Sequence, residues 1–228
     1  MAAASPQPGP QASSEPSAAP VTWIEGVYGP FTITDDDRRE VLGYRLSLLT
    51  TALAQVGLLL QWQLLGGVTL WPWLLPLSLG LGLALHWIHI YLRPLHRALQ
   101  LLWLLGCAGL VLLAVRLGPQ AMAAGVAADG RWIWAIGPLF AALTGIGFKE
   151  FFCFRRPEAI GVTLLLPIAL LGQLSGLLSP PVVGRLLGLE AALLLVLCLR
   201  KFPMPASADV GDKSVFAYLE AQRRTPIA

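Results

Sequence analysis

Ala98-Leu99-Gln100-Leu101-Leu102-Trp103-Leu104-Leu105-Gly106-Cys107-Ala108-Gly109-Leu110-Val111-Leu112-Leu113-Ala114-Val115 is a run without a charged side chain, closed by Arg97 on one side and Arg116 on the other. A bilayer core of about 30 Å selects such a block, because roughly 20 residues at 1.5 Å rise are needed to cross it. Period-2 alternation, the mark of a transmembrane barrel, is absent. The same pattern recurs along the chain. The expected spans are Tyr44 to Leu65, Val68 to Leu92, Ala98 to Val115, Trp132 to Phe154, Ala159 to Leu178 and Val183 to Leu199.

Composition agrees. The chain has 228 residues, 56% hydrophobic and 13% charged. A water-soluble domain carries about 25% charged residues, so this one has too little charge to cover its surface. The expected fold is an all-α, polytopic membrane bundle of about six transmembrane helices. The net charge is +3, but the basic residues stand at the ends of the apolar blocks. That is the distribution of membrane topology, and it argues against nucleic acid as a partner.

Counting Lys and Arg by side fixes the expected orientation. Thirteen of the sixteen fall before span one, between spans two and three, between spans four and five, and after span six. Only Arg116, Arg131 and Arg185 fall on the other side. The positive-inside rule puts both termini in the cytoplasm, and an even span count requires them on one side. Trp62, Trp71 and Trp73, with Trp132 and Trp134, then mark the outer interface.

Residues 1–22 are Ala, Pro, Ser, Gln and Gly-rich, with no early basic residue to open a signal peptide. They are expected to be a disordered tail. Residues 23–43 form a cytoplasmic segment leading into the membrane, 44–199 the membrane domain, and 200–228 a cytoplasmic tail with a short helix. Thr34-Asp35-Asp36-Asp37 has the chemistry of a helix start, a capping hydroxyl followed by three acids at the positive dipole end. Asp35 and Arg39, four apart, are expected to pair. The odd count of three cysteines, all in or beside apolar blocks, argues against a disulfide framework.

Polar groups inside lipid need a reason. His86 and His89 are i,i+3 on one face of span two, and His86 lies at the depth of Glu150 in span four, roughly 9–12 Å inward of the midplane. Arg45, Lys149 and Cys153 complete a candidate inner-half cluster. Two imidazoles and a carboxylate can bind a metal, and a bundle core can hold a haem. The same residues can instead relay a proton or ion, or sit in the headgroup region and satisfy one another. Lys149, four residues before Cys153, could lower its thiol's pKa. In the outer half, Glu190 is expected either to pair with Arg185 or to line an ion path. Gly172/Gly176 and Gly184/Gly188 permit close helix approach. No specific metal or cofactor is assigned by these patterns.

Two stretches carry a family resemblance. One is Val27-Tyr28-Gly29-Pro30-Phe31-Thr32-Ile33-Thr34 through Asp37-Arg38-Arg39 to Tyr44-Arg45-Leu46-Ser47. The other is Gly145-Ile146-Gly147-Phe148-Lys149-Glu150-Phe151-Phe152-Cys153-Phe154, followed by Pro157-Glu158-Ala159. Together they resemble the integral membrane proteins of domain of unknown function 2301, over about residues 23–220. The resemblance implies a multi-pass protein of a photosynthetic prokaryote, in a cytoplasmic or thylakoid membrane. It transfers no activity and no catalytic residue.

Three function classes stay open. The leading one is a non-enzymatic binding or accessory factor of a membrane complex, with the lipid bilayer and membrane proteins as partners, since no nucleotide loop, hydrolase elbow or zinc motif is present. The second is a small-solute or ion transporter built from inverted three-helix halves, with Pro72, Pro76 and Pro167 breaking corresponding helices. Ser78 and Gln173 offer that midplane little polarity. The third is a metal- or pigment-binding redox protein resting on the histidine pair.

Overall fold

The computed structural model describes residues 23–66 and 69–224. The 1–22 tail, and Val68 as the start of span two, lie outside the described residues. The chain divides into two compact units. The larger, residues 33–212, holds helices α1 (Asp35–Leu65), α2 (Trp71–Trp87), α3 (Arg93–Leu117), α4 (Met122–Ala128), α5 (Ile133–Phe154), α6 (Pro157–Leu174), α7 (Pro180–Lys201) and α8 (Ala206–Val210). Five of the long helices are long and apolar enough to cross a membrane. With 17 residues, about 26 Å, α2 reaches the short end of the spanning range. The fold is an all-α membrane bundle.

Residue contacts give the order of the helices. Gly43 meets Trp87 and Gly57 meets Trp73, so α1 and α2 run antiparallel. His96 Nε2 lies 2.6 Å from the Leu85 carbonyl and Trp103 Nε1 donates to the Ser78 carbonyl at 2.8 Å, which sets α3 antiparallel to α2. Gly106 sits against Leu139, Gly109 against Ala135 and Gly145 against Leu99, so α5 runs back along α3. The α3–α5 approach is the tightest: a Cβ built on Gly109 would stand 1.8 Å from the Ala135 carbonyl oxygen. Small residues let membrane helices approach to backbone contact. The pairs expected to do this behave differently. Gly188 faces open space, and Gly176, at φ +71, serves the turn that ends α6.

Exposed leucines and valines lie on the outside of the long helices, among them Leu53, Leu79, Leu104, Val111, Leu164 and Val196. Helices apolar on outer as well as inner faces suit lipid rather than water. Leu48, Leu81, Leu143, Leu166 and Leu194 form the buried core between them.

The first helix runs from Asp35 through the whole of the expected span, Tyr44 to Leu65. Thr34 caps it as expected: its Oγ1 accepts from Asp37 N at 3.2 Å, and Asp37 Oδ2 accepts from Thr34 N at 2.7 Å. Arg39 pairs with Asp36 at 3.3 Å, and not with Asp35, because Asp35 takes Arg38 at 3.8 Å. The loop between α3 and α5 contains α4, which the sequence pattern did not predict.

The smaller unit, in its described part, joins the antiparallel hairpin β1 (Trp23–Gly26) and β2 (Gly29–Thr32) to helix α9 (Lys213–Arg224). Tyr28 stacks on Tyr218 with ring centroids 3.9 Å apart, and Tyr28 N donates to Ser214 Oγ at 3.0 Å.

Candidate functional site

Two polar features sit on one seam of the bundle, where α1 runs antiparallel to α7. Tyr44 and Gln55 are eleven residues apart on α1, and Glu190 and Lys201 are eleven apart on α7. Eleven residues are three helical turns, about 16 Å, so each pair keeps to one face. Tyr44 therefore meets the Lys201 level, and Gln55 meets Glu190.

At the Tyr44 end lies a buried charge network. Glu150 is wholly buried. Its Oε1 accepts from Tyr44 Oη at 2.7 Å and Lys149 Nζ at 3.2 Å, and its Oε2 accepts from Lys201 Nζ at 2.6 Å. Lys201, also wholly buried, contacts Asp209 as well. Arg45 completes the chain: Nε lies 2.7 Å from Asp209 Oδ2, and its guanidinium donates to the carbonyls of Met204 at 2.9 Å and Pro205 at 3.2 Å. The turn after α7 folds back so that α8 delivers Asp209 to both cations. Three cations face two carboxylates. The rings of Tyr44 and Phe154 lie 4.7–5.4 Å from the two ammonium groups and offset the excess charge. Nearby, Glu158 takes Arg200 at 3.0 Å and Arg156 at 3.4 Å.

Only part of the expected cluster assembles. Arg45, Lys149 and Glu150 belong to this network. His86 is exposed, and His89 turns to Glu40, with Nε2 3.2 Å from Oε2. Neither histidine faces Glu150, whose oxygens are committed elsewhere, so the His86–His89–Glu150 metal set is not formed. The helix ends at Trp87, which takes His89 off the helical face that the i,i+3 spacing assumed. Asp37, Glu40 and His89 do approach within 4.8 Å of one another, but the Asp37 carboxylate already caps α1. Burial holds the His89 imidazole below its usual pKa, against the opposing pull of Glu40. Cys153 is exposed, and the Lys149 ammonium is committed to Glu150 at 3.2 Å.

At the Gln55 end, Gln55 Nε2 donates to Glu190 Oε2, and both residues are buried. Arg185 does not reach Glu190. It is exposed and donates to the Pro181 carbonyl at 3.3 Å. Gln55 Oε1 and Glu190 Oε1 have no hydrogen-bond partner. Gln55 also lines an apolar cavity of about 500 Å³, walled by residues of α1 through α7 that include Trp62, Leu74, Leu113, Phe140 and Leu187 and partly open to the outside. One face of α4, with Met122, Ala123, Val126 and Ala127, forms part of its wall. Pro76 lines a separate surface groove beside Gly43 and Leu46, and Pro167 lines neither space. The inverted-repeat plan expected both prolines on one cavity.

Tyr44, Gln55, Lys201 and Asp209 escaped sequence reasoning as site residues. Gln55 carried a signal, an amide near the middle of span one. Lys201 and Asp209 carried none beyond flanking an apolar block, because their roles depend on the return of the chain through Pro203 and Pro205.

A family profile described as an uncharacterised integral membrane protein family, DUF2301, matches residues 83–218. The chain belongs to the DUF2301 family. The match contains Lys149, Glu150, Glu190, Lys201 and Asp209, while their α1 partners Tyr44, Arg45 and Gln55 precede it. One curated relative of this DUF2301 protein, an uncharacterised protein of Haemophilus influenzae (strain ATCC 51907 / DSM 11121 / KW20 / Rd), is 36% identical over 87 residues. Those residues are 36% of this chain and 48% of the relative, so the chain spans about half the length of the curated relative it matches. No solved structure matches.

Proposed function

We propose that this DUF2301 protein is a non-enzymatic membrane protein that holds an apolar or amphiphilic molecule taken from the bilayer. The observation that carries this reading is the 500 Å³ cavity among the long helices. Ligand sites are concave, mostly apolar, about 300–1,000 Å³, and carry a few polar groups that fix orientation. Leucines and aromatic rings supply the apolar wall here, and Gln55, Gln63 and Gln173 the polar points. The Arg45–Asp209–Lys201–Glu150 network plays a different part in this reading. Its groups are consumed by one another, so it clamps α1, α5, α7 and α8 at one end and keeps the other end open as a binding space.

Both termini lie in the cytoplasm in this proposal, together with the β-hairpin and α9. The positive-inside distribution supports it. The charge network then sits at the inner end of the bundle and the cavity in the outer half. The hairpin offers exposed Trp23 and Val27 to a partner in a membrane complex.

Native mass spectrometry of protein released from lipid nanodiscs tests the binding reading. The wild type is expected to carry a bound apolar molecule, and Ala123→Trp, which fills the cavity, to lose it. An empty wild type that gains stability from Ala123→Trp would instead mark the space as a packing void.

A further inference from the structure

We propose that the Gln55–Glu190 pair makes the cavity floor a recognition point for a lipophilic amine, an N–H-donating cationic head carried on an apolar body. This deepens the binding reading above and rests on it. Gln55 is 4% exposed and Glu190 is wholly buried. Their one mutual bond leaves Gln55 Oε1 and Glu190 Oε1 without a donor. Gln55 lines the cavity and Glu190 stands behind it; buried acceptors are almost always paired, so a ligand that brings donors to Gln55 would complete the pair.

Charge narrows the choice. The carboxylate of Glu190 has no cation beside it. Arg185, on the same helix, is turned to the Pro181 carbonyl at the exposed rim. Lys201 is three turns away, about 16 Å, and is held by Glu150. A buried charge is paired or coordinated in native structures. An ammonium head would satisfy Gln55 Oε1 directly and the carboxylate behind it electrostatically, while Leu58, Leu74, Leu113 and Leu187 enclose its body. A hydroxyl head would supply one donor and no charge. An anionic head would meet the carboxylate as a like charge.

Three probes with one rigid body separate these cases: 1-aminoadamantane, 1-adamantanol and adamantane. Each is titrated into the full chain in nanodiscs, and the rise of the unfolding midpoint gives an apparent affinity. The amine is expected to bind at least tenfold more tightly than the alcohol. Glu190→Gln is expected to remove that preference and leave adamantane binding unchanged. Gln55→Leu, which keeps the carboxylate, is the second variant and is expected to weaken the amine more than adamantane. Equal affinity for amine and alcohol, or an amine preference that survives Glu190→Gln, overturns the amine assignment while leaving the cavity reading intact. Failure of all three probes to stabilise the wild type overturns both.

Discussion

Replacing Glu150 with glutamine probes the clamp at the Tyr44 end of the seam. The substitution keeps the side chain's size and removes its charge. Tyr44 Oη, Lys149 Nζ and Lys201 Nζ lose the carboxylate that accepts from all three. Lys201 keeps Asp209, but Lys149, 7% exposed, keeps no carboxylate at all. Breaking a buried ion pair by removing one partner costs about 3–5 kcal/mol, because a charge is left uncompensated in low dielectric. A loss of about 4 kcal/mol is expected here, read by equilibrium unfolding in mixed micelles through tryptophan fluorescence. Lys201→Met should cost less, about 2 kcal/mol, since Glu150 keeps Tyr44 and Lys149 while Asp209 keeps Arg45. In the double variant the costs should fall short of additive by roughly 1–3 kcal/mol, the coupling of groups in one network. A cost below about 1 kcal/mol for Glu150→Gln, or strict additivity with Lys201→Met, would refute the clamp.

Gly109→Ala sets a methyl against the Ala135 carbonyl, so α3 and α5 must part. A loss of about 1–3 kcal/mol is expected from this overpacking, whereas Gly188→Ala, with open space, should be neutral or slightly stabilising in the same unfolding assay. His89 has its pKa lowered by burial, so the unfolded chain binds the proton more readily. Its contribution is therefore complete above the ordinary histidine range and is lost as pH falls through the folded pKa, and His89→Gln should flatten that acid limb of a stability–pH profile. Single cysteines placed at Asp129 and at Asp212 should label from opposite faces of oriented vesicles, Asp212 from the cytoplasmic face.

The bundle was legible because lipid imposes a simple rule on sequence, uninterrupted apolar blocks closed by basic residues. The block from Ala98 to Val115 fell within α3, and Thr34 capped α1 as its hydroxyl and the following acids required. Depth alone was a poor guide to partners. His86 and Glu150 share a level, yet His86 faces outward and His89 lies beyond the end of its helix. Glu150 instead finds Lys201, from a helix end whose position is fixed by tertiary contacts. The Gln55–Glu190 pair was half legible. Glu190 stood out as a charge in lipid, but choosing Gln55 over Arg185 required the antiparallel register of α1 on α7. The cavity left no mark in the sequence, because apolar residues lining a space and apolar residues filling one look alike.

The cavity as a binding site is tested most directly by locating a heavy atom. Crystals of the protein grown from lipid and soaked with 1-bromoadamantane would be measured at the bromine absorption edge. Binding in the cavity places the anomalous peak among Leu74, Leu113 and Leu187, above Gln55. Bromine found solely along the lipid-facing surface, with the cavity empty, would contradict it.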